Sequence, residues 1–129
     1  SLTMSVDFLN EFEAGTGGPP QGEYVAEFLG VTPTDHDQWG PGAMFSFEVL
    51  EGDHAGCVSM RTSKRNPTGK NLCGRLIRGV TGQQIQSGAK INIENLVGKK
   101  FKIMVMNSPD GDTTRLESVE RIPGEDYDN

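Results

Sequence analysis

The first sixty residues of the chain contain no lysine and no arginine, although they contain ten Asp and Glu. Ten of the twelve basic side chains of the 129-residue chain fall instead between Arg61 and Lys102, where Glu94 is the only acid. The net charge of −6 therefore conceals a local excess of nine positive charges, ten cations against one acid. A locally basic surface attracts polyanions whatever the total charge, because salt screens charges beyond about 10 Å. Nucleic acid is consequently the first partner to test.

Cysteine and long apolar runs are also scarce. Cys57 and Cys73 are too few for the disulfide framework of a secreted domain, and free thiols are favoured over a bond between them. No apolar run is long enough to span a bilayer, and no cationic start precedes an apolar stretch. We therefore expect a soluble, cytoplasmic protein with no membrane partner. The 17 Gly and 7 Pro favour many turns over long helices.

The hydrophobic pattern predicts three strands, then one helix, then two strands. This is the element order of the five-stranded Greek-key OB barrel, and a closed sheet suits strands this short. We therefore expect a mainly β, OB-fold-like barrel with one helix between strands 3 and 4; the alternative is a small β-sandwich with an inserted helix. Strands are predicted at residues 23–32, 44–51, 57–62, 99–107 and 113–122, with a polar loop at 33–42 and a helix between residues 66 and 82.

The alternation of apolar and polar residues also predicts which side chains enter the core. In the second strand Phe45 and Phe47 are expected to point inward. In the third strand we expect Met60 to point inward, and Ser59 and Arg61 to point outward. These assignments decide which residues are free to meet a ligand.

The two ends of the chain depart from the strand pattern. Residues 1–22 are predicted to form a flexible N-terminal arm, because the run from Gly15 to Pro20 breaks regular structure. Residues 23–123 form the expected domain, and residues 124–129 form an acidic C-terminal tail. Two interpretations of the tail stay open: a segment that recruits a protein partner, and an ordinary solubilising end.

Short motifs stand at the ends of the predicted elements. They are Gly22-Glu23-Tyr24 opening the first strand, Phe45-Ser46-Phe47-Glu48-Val49 with Glu51-Gly52 closing the second, Gly56 opening the third, Asn66-Pro67 before the helix positions Leu72, Leu76 and Gly82, and Leu96-Val97-Gly98-Lys99 before the fourth. Over about residues 22–123, this set resembles the small OB-fold single-stranded-DNA-binding proteins encoded by phages and prophages, often beside recombination genes. The resemblance implies a non-catalytic protein that binds single-stranded DNA. Asp35 and Asp37 depart from the pattern, because a DNA-binding first loop would be basic.

OB folds hold oligonucleotides on the face of their second and third strands. Single-strand binding combines cations that neutralise phosphates with aromatic side chains that stack on bases. The alternative is that the cations of this chain are solvated or pair with its many acids. The predicted nucleic-acid-binding residues are Trp39, which would stack a base, and Arg61, Lys64, Arg65 and Lys102, which would contact phosphates.

Nothing in the sequence favours an enzyme. His54 and Cys57 have a spacing that zinc sites use, but no second close pair follows, so we predict no metal and no cofactor. No Ser or Cys lies in a recognisable nucleophile motif.

Two functional hypotheses remain. The first is a single-stranded-DNA-binding protein of phage-type replication or recombination, with DNA favoured over RNA. The second is a protein-interaction or homo-oligomerisation module on the same barrel, without nucleic-acid binding.

Overall fold

The computed structural model describes residues 18–127, which form one five-stranded antiparallel sheet and one α-helix. The sheet order is β3-β2-β1-β4-β5. The predicted mainly β class and the order of three strands, one helix and two strands are confirmed. The elements are β1 (Gly22–His36), β2 (Gly40–Val49), β3 (Val58–Lys64), α1 (Leu72–Thr81), a 3₁₀ turn (Glu94–Leu96), β4 (Lys100–Asn107) and β5 (Thr114–Arg121).

Strand β1 is long and pairs with two neighbours. It pairs with β4 from Gly22 to Glu27 and with β2 from Ala26 to His36, so the two pairings overlap at Ala26 and Glu27. A bulge interrupts the pairing with β2 between Phe28 and Gly30, and Gly30 has a φ of 112°, which glycine adopts without strain. The β1–β2 hairpin therefore extends beyond β4. The predicted polar loop at 33–42 is wrong, because only residues 37–39 form the turn.

The core lies on one side of the sheet, under the helix. Phe45 and Phe47 of β2 are fully buried, as the alternation predicts, and Phe47 packs against Phe28 and Phe101 with ring centroids 5.0 and 6.0 Å apart. Every second residue of a strand faces the same side, so the alternating apolar residues of β1, β2 and β4 meet in one cluster. Cys73 is buried in that cluster, Cys57 is half-buried, and both thiols are free.

The face prediction for β3 is wrong. Ser59 is buried and Arg61 is largely covered, with 16% of its side chain exposed, whereas Met60 is 45% exposed. For Arg61 the physical reason is that β5 supplies polar partners to its guanidinium. Arg61 Nη1 donates a hydrogen bond to Leu116 O over 3.0 Å.

Helix α1 begins and ends at well-formed caps. The Asn71 side chain accepts a hydrogen bond from Gly74 N over 2.7 Å, and Gly82 closes the helix in the left-handed conformation. Leu76 and Val80 are buried against the sheet. Close approach to β5 requires Gly79, since a Cβ there would lie 2.3 Å from the carbonyl oxygen of Val119.

Strands β3 and β5 form the two outer edges of the sheet, and we call the gap between them the seam. They share no hydrogen-bonded ladder in residues 18–127, and the Arg61 side chain reaches across to β5. All neighbouring strands are antiparallel, so β3 and β5 run in the same direction. Their first residues lie close together, because a Cβ on Gly18 would be 3.4 Å from Val58 O and 3.1 Å from Thr114 Oγ1.

The described residues of both termini pack against the sheet. Pro19 is buried, and its carbonyl accepts a hydrogen bond of 2.6 Å from Thr114 Oγ1. At the other end Tyr127 is 8% exposed, and its hydroxyl donates to Lys100 O and accepts from Ile122 N. The rest of the predicted arm, residues 1–17, and residues 128–129 of the tail lie outside the described residues.

No helix within residues 18–127 is both long and apolar enough to cross a lipid bilayer.

Candidate nucleic-acid interface

The turn of the β1–β2 hairpin presents Trp39 to solvent. His36 Nδ1 accepts hydrogen bonds from Gln38 N at 3.0 Å and from Trp39 N at 3.2 Å, so the imidazole fixes the turn from the last position of β1. The two rings lie 6.2 Å apart at 35°. Trp39 is 63% exposed, the highest value among the large apolar side chains of residues 18–127. A tryptophan held in place by its backbone and left open on one side is suited to stacking a planar ligand.

The end of β3 lies beside this turn. Lys64 is in register with Gly42 of β2, and Arg65 follows it directly. Arg65 Nε and Nη2 both donate to Gly42 O, over 3.2 and 3.1 Å, which anchors the guanidinium to the base of the turn. The backbones of β2 and β3 come so close here that position 42 must be glycine, since a Cβ on Gly42 would be 2.8 Å from Ser63 O. Asn66 then turns the chain away with a φ of 71°.

Together these residues line one surface concavity of about 390 Å³, which we call the tip site: Trp39, Pro41, Lys64, Arg65 and Asn66. The site thus combines one exposed ring with two cations from a distant part of the sequence. Three of the five residues predicted to bind nucleic acid lie in it, namely Trp39, Lys64 and Arg65.

Arg61, the fourth predicted residue, lies at the seam and has protein partners. Besides its bond to Leu116 O, its Nη1 lies 3.2 Å from Glu117 Oε2. Burial lowers the pKa of the Arg61 guanidinium, and the neighbouring Arg115 charge lowers that pKa further, while Glu117 opposes both. The residue is therefore engaged in holding β3 next to β5.

Lys102, the fifth predicted residue, lies far from the tip site. It pairs in register with Val25, so it is separated from His36 by ~35 Å measured along β1. Its Nζ lies 3.5 Å from Glu120 and 3.9 Å from Glu23. Two carboxylates therefore compete with any phosphate for this ammonium group.

Three features of the tip site have no signal in the sequence pattern. His36 acts through its ring nitrogen on the turn, Pro41 lines the concavity, and Asn66 adopts a positive φ. The negative charge near the tip site, in contrast, can be predicted from the sequence. Asp35 and Asp37 flank His36 in the chain and place two carboxylates at the same end of the hairpin. Their carboxylates weaken the attraction that Lys64 and Arg65 exert on an anion.

Among residues 18–127, no group of three or more His, Cys, Asp or Glu is arranged to hold a metal ion. The His54 ring packs edge-on against Tyr24, with centroids 6.0 Å apart. No protein-family model matches the chain, and no curated protein matches it.

Proposed function

We propose that the protein binds single-stranded DNA without catalysing a reaction, as a phage-type replication or recombination protein, and that the tip site is its principal contact. The observation that carries the proposal is the convergence of an exposed Trp39 with Lys64 and Arg65 in one concavity. Aromatic stacking and phosphate neutralisation are the two interactions that single-strand binders combine. DNA rather than RNA follows from the resemblance to phage-encoded proteins.

Each residue of the tip site has a distinct role in this proposal. Trp39 stacks one base, which stabilises the complex by about 1–3 kcal/mol. Arg65 Nε and Nη2 both donate to Gly42 O, whereas Arg65 Nη1 has no hydrogen-bond partner among residues 18–127. Nη1 is therefore available to donate to a phosphate. Lys64 supplies a second positive charge on the adjacent residue. The scheme contains no hydrogen bonds to base edges, so sequence preference is weak.

The number of free cations sets the affinity. Two phosphates neutralised on a single strand give a slope of about −1.4 in log K against log salt. Affinity then falls about sevenfold between 50 and 200 mM salt, and the carboxylates of Asp35 and Asp37 keep the absolute affinity modest. The protein would therefore bind where single-stranded DNA is locally concentrated, and it would not bind any particular sequence tightly.

We further propose that the sheet closes as an OB-type Greek-key barrel. The support comes from the seam, where β3 and β5 run in the same direction and Arg61 bridges them through Leu116 O. The helix that caps the core comes between the third and fourth strands, as in the OB arrangement. On this barrel the β1–β2 turn is the first loop, one of the loops with which OB folds hold oligonucleotides.

The test is the binding of a fluorescently labelled oligo-dT by the full chain at low salt, followed by anisotropy. We expect saturable binding that weakens with salt, and a further severalfold loss for Lys64→Gln. The matched control is Lys90→Gln, which removes the same charge at an exposed loop position away from the tip site. Absence of binding by the unmodified chain at low salt would end the proposal, as would equal losses for the two variants.

A second candidate function is homo-oligomerisation. The observation in its favour is a groove of about 680 Å³ next to the β1 bulge, where the exposed side chains of Leu29, Ile91 and Val97 come together. A second copy that covered these side chains would remove apolar surface from water. Light scattering that shows a salt-insensitive oligomer, together with no oligo-dT binding, would select this candidate over the first.

A further inference from the structure

The loop that joins α1 to the 3₁₀ turn forms one wall of a concavity of about 750 Å³, which we call the loop cavity. This volume lies in the usual range for small-molecule sites, ~300–1,000 Å³. The charged residues of its lining are Arg121 of β5 and Lys90, and within the described part of the chain no Asp or Glu lines it. Five further lining side chains are carboxamides, namely Gln83, Gln84, Gln86, Asn92 and Asn95. The loop cavity is therefore locally basic and rich in hydrogen-bonding groups.

The guanidinium of Arg121 is held in place by three contacts. Arg121 Nε donates a hydrogen bond of 2.9 Å to Val80 O in the last turn of α1. The central carbon of the guanidinium lies 4.4 Å from the centre of the Tyr127 ring, and the Tyr127 hydroxyl is itself bonded to two backbone groups. Gly82 also lies close, because a Cβ there would be 3.1 Å from Arg121 Cδ and Nε. A side chain fixed in this way loses little conformational freedom when it binds a ligand.

Most hydrogen-bonding capacity of Arg121 is unused by residues 18–127. A guanidinium has five N–H donors, and only the one on Nε is bonded, to Val80 O. Nη1 and Nη2 have no hydrogen-bond partner in that range, and no carboxylate of that range lies within ion-pairing distance of the group. Paired guanidinium nitrogens are suited to binding a carboxylate or a phosphate through two hydrogen bonds. Arg121 is therefore a preformed anchor for an anion.

We propose that the loop cavity binds a phosphate ester of a small hydroxylated molecule, with the phosphate on Arg121. Charge favours phosphate over carboxylate, because a phosphate monoester carries about −1.5 to −2 charges at pH 7. Arg121 and Lys90 together balance that charge, whereas a carboxylate would balance only one of them. The carboxamides suit the organic part of the ligand, since they both donate and accept hydrogen bonds, as hydroxyl groups do.

The loop cavity and the tip site lie far apart. Arg121 is in register with Phe101 of β4, and Phe101 is in register with Ala26 of β1. Ala26 is ten residues before His36, a separation of ~33 Å along β1. The proposal for the loop cavity therefore stands or falls independently of DNA binding at the tip site.

The experiment is an NMR titration of the ¹⁵N-labelled full chain with ribose 5-phosphate. We expect saturable shifts of the Arg121 Nε–H signal and of the carboxamide signals of the loop cavity. The indole N–H of Trp39, the only tryptophan, should not move. Inorganic phosphate and citrate should each bind more weakly than ribose 5-phosphate, and ribose should not bind. Arg121→Gln should weaken binding about 10- to 100-fold, because it removes charge-assisted hydrogen bonds.

A second variant separates binding from stability, because Arg121 also contacts α1 and Tyr127. Gln84→Glu adds a carboxylate to the lining at an exposed position and should weaken binding about fivefold by repelling the phosphate. Asn107→Asp is the matched control, since it makes the same change from amide to acid at the exposed far end of β4. It should bind as the unmodified chain does. Thermal melts show that each variant is folded at the titration temperature.

Several results would overturn the proposal. Ribose 5-phosphate that leaves the loop-cavity signals unmoved at millimolar concentration would remove the site, as would equal affinities of Gln84→Glu and Asn107→Asp. Citrate that binds more tightly than ribose 5-phosphate would show that the preferred ligand is not a phosphate. Inorganic phosphate that binds as tightly as ribose 5-phosphate would show that the carboxamides do not hold an organic group.

Discussion

Replacing Trp39 with alanine removes the only exposed ring of the tip site and leaves Lys64 and Arg65 in place. Loss of stacking worth about 1–3 kcal/mol weakens oligo-dT binding by about 5- to 150-fold. Trp39→Phe keeps a ring at the same position and should recover most of that loss. Only about a third of the Trp39 surface is buried, so the free energy of unfolding falls by at most about 2 kcal/mol in Trp39→Ala.

The assay is anisotropy of a labelled oligo-dT at low salt, at a temperature where thermal melts show every variant folded. Val97→Ala is the control, because it removes apolar atoms from another exposed position, 47% accessible and remote from the tip site. The reasoning is refuted if Trp39→Ala and Val97→Ala bind equally well. It is also refuted if Trp39→Phe is as weak as Trp39→Ala, since a stacking ring would then be irrelevant.

Substitutions at three further positions probe the fold and the turn. Gly79→Ala should lower the free energy of unfolding by about 1–3 kcal/mol in a urea titration, because its methyl group meets the Val119 carbonyl; an unchanged midpoint would contradict the close packing of α1 on β5. Tyr127→Phe should cost about 1–2 kcal/mol by the same measurement, because two backbone groups lose their hydroxyl partner; no change would mean that the C-terminal segment does not dock. His36→Phe should weaken oligo-dT binding about fivefold by releasing the turn, whereas His36→Asn keeps a side-chain acceptor and should bind normally; equal behaviour of the two variants would count against this positioning role.

Strands with one fully apolar face could be predicted from the sequence. In β2 the alternation around Phe45 and Phe47 is a local property, so the strand and its buried face both follow from it. In β3 the face prediction fails because the partners of Arg61 are Leu116 and Glu117, more than fifty residues away along the chain. A polar residue that faces inward cannot be told from a solvated one without that contact.

Strand β1 is longer than the predicted strand at residues 23–32 for a related reason. Pro33 suggests a loop, since proline cannot donate a ladder hydrogen bond. In the structure Pro33 is in register with Ala43 of β2, and β4 no longer pairs with this part of β1. A strand with one open edge tolerates proline, so the strand continues to His36. Whether Pro33 lies in a strand thus depends on the order of the strands in the sheet, which no local sequence pattern contains.

For the candidate site, residue type could be predicted from the sequence but residue position could not. Single-strand-binding proteins use exposed aromatic side chains and cations, and this predicts Trp39, Lys64 and Arg65 as site residues. The fold brings these three residues together. The same reasoning predicts Arg61 and Lys102, whose charges are engaged by carboxylates of other strands. Charge counting along the chain cannot show which cations are already paired.

Titration of the full chain with unlabelled oligo-dT, followed by intrinsic fluorescence at several salt concentrations, tests the central claim most directly. Trp39 is the only tryptophan, so the signal reports on the tip site alone. The account predicts saturable quenching, with a slope of about −1.4 in log K against log salt. Binding that is detected by anisotropy but leaves Trp39 fluorescence unchanged would place the ligand elsewhere and contradict the account.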